Sequence, residues 1–179
     1  MTKMDEFTLD MTSGFRGTAK WMFAEFVGKP IHYLEVGIYE GRSGCWMLDN
    51  VLTHPLADHT GVDVAQGDRD AAAHETAIQN FSRHKGKYVL IRGDSTEVLP
   101  ALVRWQARFE IVYIDGGHAK EQCLADLNNA WPLVAPGGVL LCDDYLHPDY
   151  GVKEAVDQFI GETGLEPFYK DYQVAWRKL

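Results

Sequence analysis

Several features that would assign a protein to a special class are missing from this sequence. No apolar run approaches the roughly 20 residues that a membrane-spanning helix needs. Residues 1–7 lack the apolar core of a signal peptide. The three cysteines, Cys45, Cys123 and Cys142, show no paired metal-ligand spacing. We therefore expect a cytoplasmic protein, not bound to a membrane, whose cysteines are reduced and lie in its core.

Positive charge is scarce as well. The chain carries 17 Lys and Arg residues against 26 Asp and Glu residues, which gives a net charge of -9. Since no cluster of basic residues offsets this charge, a nucleic acid would be repelled. The 179 residues, 46% of them hydrophobic, suit one domain, residues 1–179, with one core. We therefore expect a single-domain protein that binds a small molecule and no nucleic acid.

Apolar runs and helical patterns alternate along the chain. An amphipathic helix is predicted at about 13–27, where apolar residues recur at helical spacing. Runs typical of β-strands follow at 31–36, 60–64, 87–92, 109–114 and 138–142. Helical patterns lie between them at about 42–53, 70–84, 96–106 and 119–134. This alternation predicts parallel strands joined by crossover helices, hence a doubly wound α/β sheet with helices on both faces.

The end of the chain follows a different pattern. A predicted helix at 151–161 is followed by two β-type runs, 165–169 and 173–177, with only three residues between them. A gap this short allows a hairpin but no crossover helix. We therefore predict a Rossmann-like, mostly parallel sheet of seven strands, of which the seventh runs antiparallel. The segment Pro136-Gly-Gly138 is predicted to be a turn that leads into the fifth strand.

Six carboxylates fall at or near the carboxyl ends of the first five predicted strands. In chain order they are Glu35, Asp63, Asp94, Asp115, Asp143 and Asp144. Ligands of open α/β sheets bind outside these strand ends, at the point where the strand order reverses. Any one of these acids could instead be a helix N-cap that simply follows a strand. Six on one edge would repel each other, so together they predict a ligand that brings hydroxyls, amines or a cation.

The first predicted strand ends in a turn marked by Gly37 and Gly41. These glycines would let the backbone pass close to a ligand, and the helix that follows offers free amide donors. Two ordinary turn glycines would have the same spacing. Other nucleotide-binding signatures are missing, namely Gly-x-Gly-x-x-Gly, Tyr-x-x-x-Lys and Gly-x-x-x-x-Gly-Lys. Their absence argues against a nicotinamide oxidoreductase and against an NTPase.

The string Glu35-x-Gly37-x-x-x-Gly41 resembles the first motif of class I S-adenosylmethionine (SAM)-dependent methyltransferases. The longer string Glu-Val-Gly-Ile-Tyr-Glu-Gly-Arg-Ser is similar to that of catechol O-methyltransferases and of small bacterial enzymes related to macrocin O-methyltransferase. The resemblance implies SAM as cofactor. It implies a cofactor site made of Glu35, Gly37, Ile38, Tyr39, Gly41, Ser43, Asp63, Val64, Asp94, Ser95 and Asp115. Asp63 would accept both ribose hydroxyls, whereas Asp94 and Ser95 would contact adenine.

The same resemblance implies a metal site and a general base. In metal-dependent O-methyltransferases, acids at the positions of Asp115, Asp143 and Asp144 hold a divalent cation, and Mg²⁺ prefers such oxygens. At the position of His118 the catechol enzymes have a Lys and the macrocin-type enzymes a His, which would take the proton of the acceptor. Asp115 and His118 are therefore the predicted catalytic residues. His118 could instead only bond the backbone at a helix start. His147 could line the substrate mouth, but a solvated loop residue is the expectation.

The resulting hypothesis is a metal-dependent O-methyltransferase that acts on a small sugar, vicinal diol or catechol-like phenol. A second hypothesis keeps SAM but uses the acids to bind the substrate without a metal. A third is a non-catalytic protein that retains the fold. Because little chain remains outside the predicted core domain to cover a substrate, we also expect an open site or one completed by a partner subunit in a homodimer.

Overall fold

The computed structural model describes residues 7–8 and 12–179. Its centre is a seven-stranded sheet with the strand order 3-2-1-4-5-7-6. The strands are β1 His32–Val36, β2 Asp58–Asp63, β3 Tyr88–Arg92, β4 Phe109–Ile114, β5 Val134–Cys142, β6 Tyr169–Lys170 and β7 Val174–Arg177. The first five strands run parallel, and β7 runs antiparallel to both β5 and β6. The predicted doubly wound sheet with an antiparallel seventh strand is thereby confirmed.

Within the described residues, six α-helices surround this sheet. They are α1 Ser13–Met22, α2 Arg42–Asn50, α3 Gly67–Phe81, α4 Ser95–Arg104, α5 Lys120–Ala130 and α6 Val152–Thr163. One buried cluster joins the sheet to α4, α5 and α6 through residues such as Leu99, Leu127 and Phe159. The other joins it to α1, α2 and α3 through residues such as Phe15 and Phe81. Helices thus cover both faces, as the sequence predicts, and none of those in the described residues is long and apolar enough to cross a membrane.

The segment Pro136-Gly-Gly138 differs from its prediction. It lies inside β5 as an irregularity of the ladder, because Phe109 pairs with Val134 while Ile111 pairs with Val139. Gly137 adopts a φ of 80°, and its amide donates to the carbonyl of Lys178 at 2.7 Å. The segment therefore stays within the strand because the end of the chain supplies hydrogen-bond partners for its backbone.

The topology decides where a ligand can bind. Strand β1 lies between β2 and β4, so the chain order reverses at the β1–β4 pair. The turns that follow the parallel strands all leave the sheet at the same edge. A crevice outside that edge, at the reversal point, is the usual ligand site of such folds.

Candidate active site

A cavity of about 1160 Å³ opens at this edge of the sheet. Most predicted site residues line it, namely Gly37, Ile38, Tyr39, Ser43, Asp63, Val64, Asp94, Ser95, Asp115, His118, Asp143 and Asp144. Glu35 and Gly41 are not part of this lining. The tertiary structure therefore brings the ends of β1 to β5 to one cavity.

The turn after β1 has a backbone that only glycine allows at its first position. Gly37 has a φ of 89°, and a Cβ added there would overlap the carbonyl oxygen of Asp115. The carboxylate of Asp63 accepts from the amides of Ile38 at 2.8 Å and Tyr39 at 2.9 Å. Asp63 thus ties the end of β2 to the turn. Its other oxygen, Oδ1, accepts from the amide of Ala65 at 2.9 Å. Because a carboxylate has about four acceptor positions, Asp63 keeps about one for a ligand hydroxyl.

Glu35 supports the turn from behind. Its side chain is fully buried, accepts a short hydrogen bond from the Ser43 hydroxyl and lies 2.8 Å from Nε2 of His59. The His59 ring is also fully buried and stacks on Phe81. Glu35 therefore holds the wall of the cavity and does not itself line it, which differs from the predicted direct role. Sequence reasoning missed His59, because its partner is 24 positions away on the neighbouring strand.

Asp94 begins α4 as its N-cap. Its Oδ1 atom accepts from the amide of Thr96 at 2.9 Å and from the Thr96 hydroxyl at 2.7 Å, which holds the pKa of Asp94 below its usual value. The capping role is therefore real, and Asp94 still lines the cavity. Next to it, Ser95 accepts from Nε2 of Gln122 at 2.8 Å. Gln122 is a cavity residue that sequence reasoning missed.

At the other end of the cavity, Asp115, His118 and Asp144 form a compact polar group. Nε2 of His118 lies 3.1 Å from Oδ2 of Asp144 and 4.0 Å from Oδ1 of Asp115. One possible ligand atom from each of the three lies within 4.8 Å of the others. Asp144 adopts a left-handed φ of 60°, which orients its carboxylate toward His118. The ring of His118 thus takes part in the predicted acidic site.

Asp143 is engaged differently from the other two acids. Its Oδ2 atom accepts from the Tyr113 hydroxyl and from Nε2 of Gln173, and its Oδ1 atom accepts from the amide of Asp144. The same Tyr113 hydroxyl lies 3.1 Å from Oδ2 of Asp115. The structure therefore groups Asp115 and Asp144 with His118, and it holds Asp143 in place with protein donors.

The acids of this group have opposite pKa shifts. Burial, followed by the negative charges of Asp143 and Asp144, raises the pKa of Asp115 well above its usual value. Burial works in the same direction on Asp144, but hydrogen bonds from His118 and Tyr172 hold its pKa below the usual value. The repulsion around Asp115 would be relieved by a proton or by a bound cation.

Three stacked rings form the wall beside these acids. The Tyr150 ring lies between His118, with ring centroids 4.0 Å apart, and His147, with centroids 3.6 Å apart. Tyr172 donates to Oδ1 of Asp144 at 2.8 Å. His147 lines the cavity, so the expectation that it is only a solvated loop residue is wrong. Its stacking on Tyr150, three residues further on, holds it against this wall.

A family model for a methyltransferase domain (Methyltransf_24) matches residues 34–145, which is more than half of the chain. The chain belongs to this methyltransferase-domain family. The match begins within β1 and ends just after the Asp143–Asp144 pair, so it contains both ends of the cavity. The resemblance to class I methyltransferases is thereby confirmed.

Solved structures share this fold at low sequence identity. TomG from Streptomyces achromogenes, an O-methyltransferase solved with SAM, is 17% identical, with a TM-score of 0.70 over 96% of this chain and 82% of its own. An O-methyltransferase from Bacillus cereus with bound S-adenosylhomocysteine (SAH) is 14% identical, with a TM-score of 0.70 over 98% and 84%. CalS11, a TDP-rhamnose 3'-O-methyltransferase, is 19% identical, with a TM-score of 0.68 over 94% and 81%. None of the curated proteins matches this chain.

The donor atoms of this methyltransferase domain fit a divalent cation. Carboxylates suit Mg²⁺ and Mn²⁺, and an added imidazole nitrogen shifts the preference toward Mn²⁺ and later transition metals. The repulsion that raises the pKa of Asp115 points in the same direction, because a cation would offset it. Among the described residues, the group whose possible ligand atoms lie within 4.8 Å of one another is Asp115, His118 and Asp144. The predicted ligand set of Asp115, Asp143 and Asp144 stays a prediction.

Proposed function

We propose that this protein binds SAM and transfers its methyl group to a hydroxyl of a small molecule. One observation supports this most strongly: the glycine turn after β1 and the acidic group after β4 and β5 line the same cavity. Its volume of about 1160 Å³ exceeds the upper end of the usual range for a single drug-sized ligand, about 1,000 Å³. A cofactor and a small acceptor can therefore lie side by side in it.

In this proposal the turn binds the methionine part of SAM, and the opposite end of the cavity activates the acceptor. Methyl transfer needs a nucleophilic oxygen in line with the sulfonium methyl. His118 takes the proton of the acceptor hydroxyl, and Asp144 orients the imidazole through the 3.1 Å contact to Nε2. A cation on Asp115 and Asp144 would supply Lewis-acid stabilisation of the acceptor oxygen. The acceptor is a small hydroxylated compound such as a sugar, a vicinal diol or a catechol-like phenol.

Calorimetric titration with SAH tests the cofactor. We expect the wild type to bind SAH with a dissociation constant on the order of micromolar, about -8 kcal/mol of binding free energy. Asp63→Asn should bind at least about tenfold more weakly, because an amide cannot accept from all of its present donors. Asp58→Asn is the matched control, since Asp58 lies at the other end of the same strand and outside the cavity. Absence of SAH binding at high micromolar concentration would refute the proposal.

A metal-free version of the same reaction is favoured by one observation. Three protein groups, the Tyr113 hydroxyl, Nε2 of Gln173 and the amide of Asp144, donate to Asp143, so this acid has hydrogen-bond partners that do not depend on a cation. A panel of hydroxylated acceptors with methyl-labelled SAM, run with Mg²⁺, with Mn²⁺ and with EDTA, separates the two versions. Full turnover in EDTA would leave the cation out of the reaction.

The homodimer stays a prediction that this proposal includes. Leu146, Tyr150 and Tyr172 are large side chains near the acidic end of the cavity that are exposed by 50%, 36% and 44%. A partner subunit could cover them and complete the acceptor site. Sedimentation at micromolar concentration should give the mass of a dimer, and a monomer at all concentrations would contradict the prediction.

A further inference from the structure

We propose that Asp126 is a positioning residue that makes the cofactor site selective for an adenine base. It would act through Gln122, by fixing which end of the Gln122 amide faces the cavity. The inference rests on the proposed function, because the base in question belongs to the cofactor. It adds a specificity-determining pair on α5 to the residues predicted from the sequence.

The hydrogen bonds of Gln122 leave one polar atom for a ligand. Its Nε2 atom lies 2.8 Å from Oγ of Ser95 and 3.4 Å from Oδ1 of Asp126. A further hydrogen bond of Gln122 helps to lower the pKa of Asp94. An amide nitrogen has two protons, so these contacts use both of them. The Oε1 atom has no hydrogen-bond partner within residues 7–8 and 12–179. It is not one of the buried side-chain atoms that lack a partner, so it is accessible from the cavity side or from solvent. Since Gln122 lines the cavity, this carbonyl is the acceptor available there.

Asp126 decides this orientation. The two ends of an amide have nearly the same shape, so hydrogen-bond partners determine which end points where. Asp126 is fully buried, and an ionised carboxylate only accepts. If the Gln122 amide turned over, its carbonyl oxygen would face a carboxylate oxygen and be repelled. Asp126 therefore keeps the nitrogen of Gln122 inward and the oxygen toward the cavity.

Gly117 makes room for this arrangement. A Cβ added at Gly117 would overlap Cγ of Gln122, so any other residue there would displace the Gln122 side chain. Gly117 itself lines the cavity, between Asp115 and Gln122. The position of Gln122 against the cavity therefore depends on both a glycine before it and a carboxylate one helical turn after it.

Hydrogen bonding within the protein satisfies only one oxygen of Asp126. Its Oδ2 atom is buried and has no hydrogen-bond partner among the described residues. Burial raises the pKa of Asp126 to about 6, although hydrogen bonds with Ser95 and Gln122 act against this shift. A buried acceptor without a partner destabilises the fold. A role in orienting Gln122 accounts for a carboxylate at this place.

The acceptor at Oε1 matches the chemistry of adenine. The adenine ring carries an exocyclic amine, which donates, whereas hypoxanthine carries a carbonyl at the same carbon. Asp94, on the neighbouring turn, offers further acceptor positions, since Thr96 occupies only its Oδ1 atom. A base with an amine would be accepted at this end of the cavity. A base with a carbonyl would place oxygen against oxygen.

Paired titrations with SAH and with its deaminated analogue, S-inosylhomocysteine, test this inference. At pH 7.5 the wild type should prefer SAH by at least about 30-fold, as expected when a site built to bond an amine meets a carbonyl. Asp126→Asn should reduce the preference below about fivefold and strengthen binding of the inosyl compound, because an Asn can donate and lets Gln122 turn over. A purely structural role of Asp126 would weaken both ligands by the same factor.

Gln122→Met removes both polar atoms of the side chain and keeps its size similar. It is the second test variant if Asp126→Asn does not fold. It should abolish the preference through loss of SAH affinity alone, whereas Gln158→Met, on the exposed part of α6, should leave the preference unchanged. If the wild type bound both ligands with equal affinity, this inference would be overturned, whereas the proposed function would still be supported by the binding of SAH. Failure of the folded wild type to bind either ligand would overturn both.

Discussion

The two ends of the cavity differ in the chemical groups that form their surfaces. At the turn after β1, backbone amides of Ile38 and Tyr39 donate to Asp63, and the fully buried Glu35 contacts His59. At the ends of β4 and β5, side chains form the surface, and several like charges lie close together. The first end is complete without a ligand, whereas the second has unbalanced charge.

This difference indicates which end of the cavity needs a bound proton or cation. A turn held by backbone bonds has its shape before a ligand arrives, so it can bind a cofactor without reorganisation. The acidic end is strained by repulsion, which raises the pKa of Asp115 and is relieved by a proton or cation. We therefore expect changes at the first end to alter folding and cofactor binding together. Changes at the second end should alter cation binding and catalysis and leave cofactor binding intact.

The largest effect is expected at Gly37. Gly37→Ala would place a methyl group against the carbonyl of Asp115 in a left-handed backbone, and we expect it to unfold the protein or to weaken SAH binding at least about 100-fold, or 2.7 kcal/mol. Gly86→Ala is the control, because Gly86 has a similar φ of 82° and open space around it. The control should lose only about 1 to 2 kcal/mol of stability by urea unfolding. Equal effects of the two changes would mean that the close approach to Asp115 is unimportant.

His59→Phe should destabilise the fold by about 3 kcal/mol, because it leaves the buried carboxylate of Glu35 without the hydrogen bond to Nε2 of His59. The matched control is His32→Phe, since His32 pairs with Asp58 at 3.0 Å on the exposed start of the same two strands. A surface pair of this kind contributes less than about 1 kcal/mol. Urea unfolding at pH 7 measures both. Similar losses would contradict the view that the buried pair supports the cofactor turn.

At the acidic end, Asp144→Asn should weaken Mn²⁺ binding about 100-fold in calorimetry and change SAH affinity by less than about threefold. Asn tolerates the left-handed backbone of Asp144, so the loop should keep its shape. Asp149→Asn, an exposed acid on the same loop, is the control. Retained Mn²⁺ affinity in Asp144→Asn would mean that the negative charge of Asp144 is not needed for Mn²⁺ binding, since an Asn carbonyl oxygen can also coordinate a cation.

His118→Ala then separates the two ligand sets. If the metal is held by Asp115, Asp143 and Asp144, Mn²⁺ affinity should change by less than about threefold while methyl transfer is lost. If His118 is a ligand, Mn²⁺ affinity should fall about tenfold or more. Either result assigns one role to the imidazole.

The smallest effect is expected for the pH dependence of stability at Asp126. Burial raises its pKa to about 6 in the folded protein, whereas an exposed Asp titrates at about 3.9. Between these pH values the folded state holds more protons than the unfolded state, so the free energy of unfolding falls as the pH rises. Asp126→Asn removes this contribution of Asp126 to the pH dependence of the free energy of unfolding. Relative to the wild type, the variant should gain about 2 kcal/mol between pH 4 and pH 7.5 in urea unfolding. If the difference in free energy of unfolding between variant and wild type stayed constant with pH, the raised pKa of Asp126 would be contradicted.

Local patterns predicted much of this fold and part of its site. The alternation of apolar runs and helical patterns predicted the strand types and the antiparallel seventh strand, although β6 is shorter than the predicted 165–169 run. Gly37 was predicted because a turn that passes close to another chain segment requires glycine. Asp94 could be predicted either as a ligand-binding acid or as a helix N-cap, and its hydrogen bond from the Thr96 amide confirms that it is an N-cap.

The features that the sequence did not reveal depend on residues far apart in the chain. His59 meets Glu35 through strand pairing, and Tyr113 meets Asp143 across two neighbouring strands. Gln122 reaches Ser95 from a different helix. No short motif encodes such pairs, because each member alone is an ordinary core or helix residue.

Neighbours within a few residues are enough to indicate the alternation of strands and helices, the glycine turn and the set of acids at the strand ends. Which of these acids meet depends on strand order and on side chains from other elements, so it follows from the folded chain alone. The tertiary structure joined His118 to Asp144 and gave Asp143 protein donors of its own. It also placed Glu35 behind the turn and outside the cavity lining, where the carboxylate is hydrogen-bonded to Ser43 and His59.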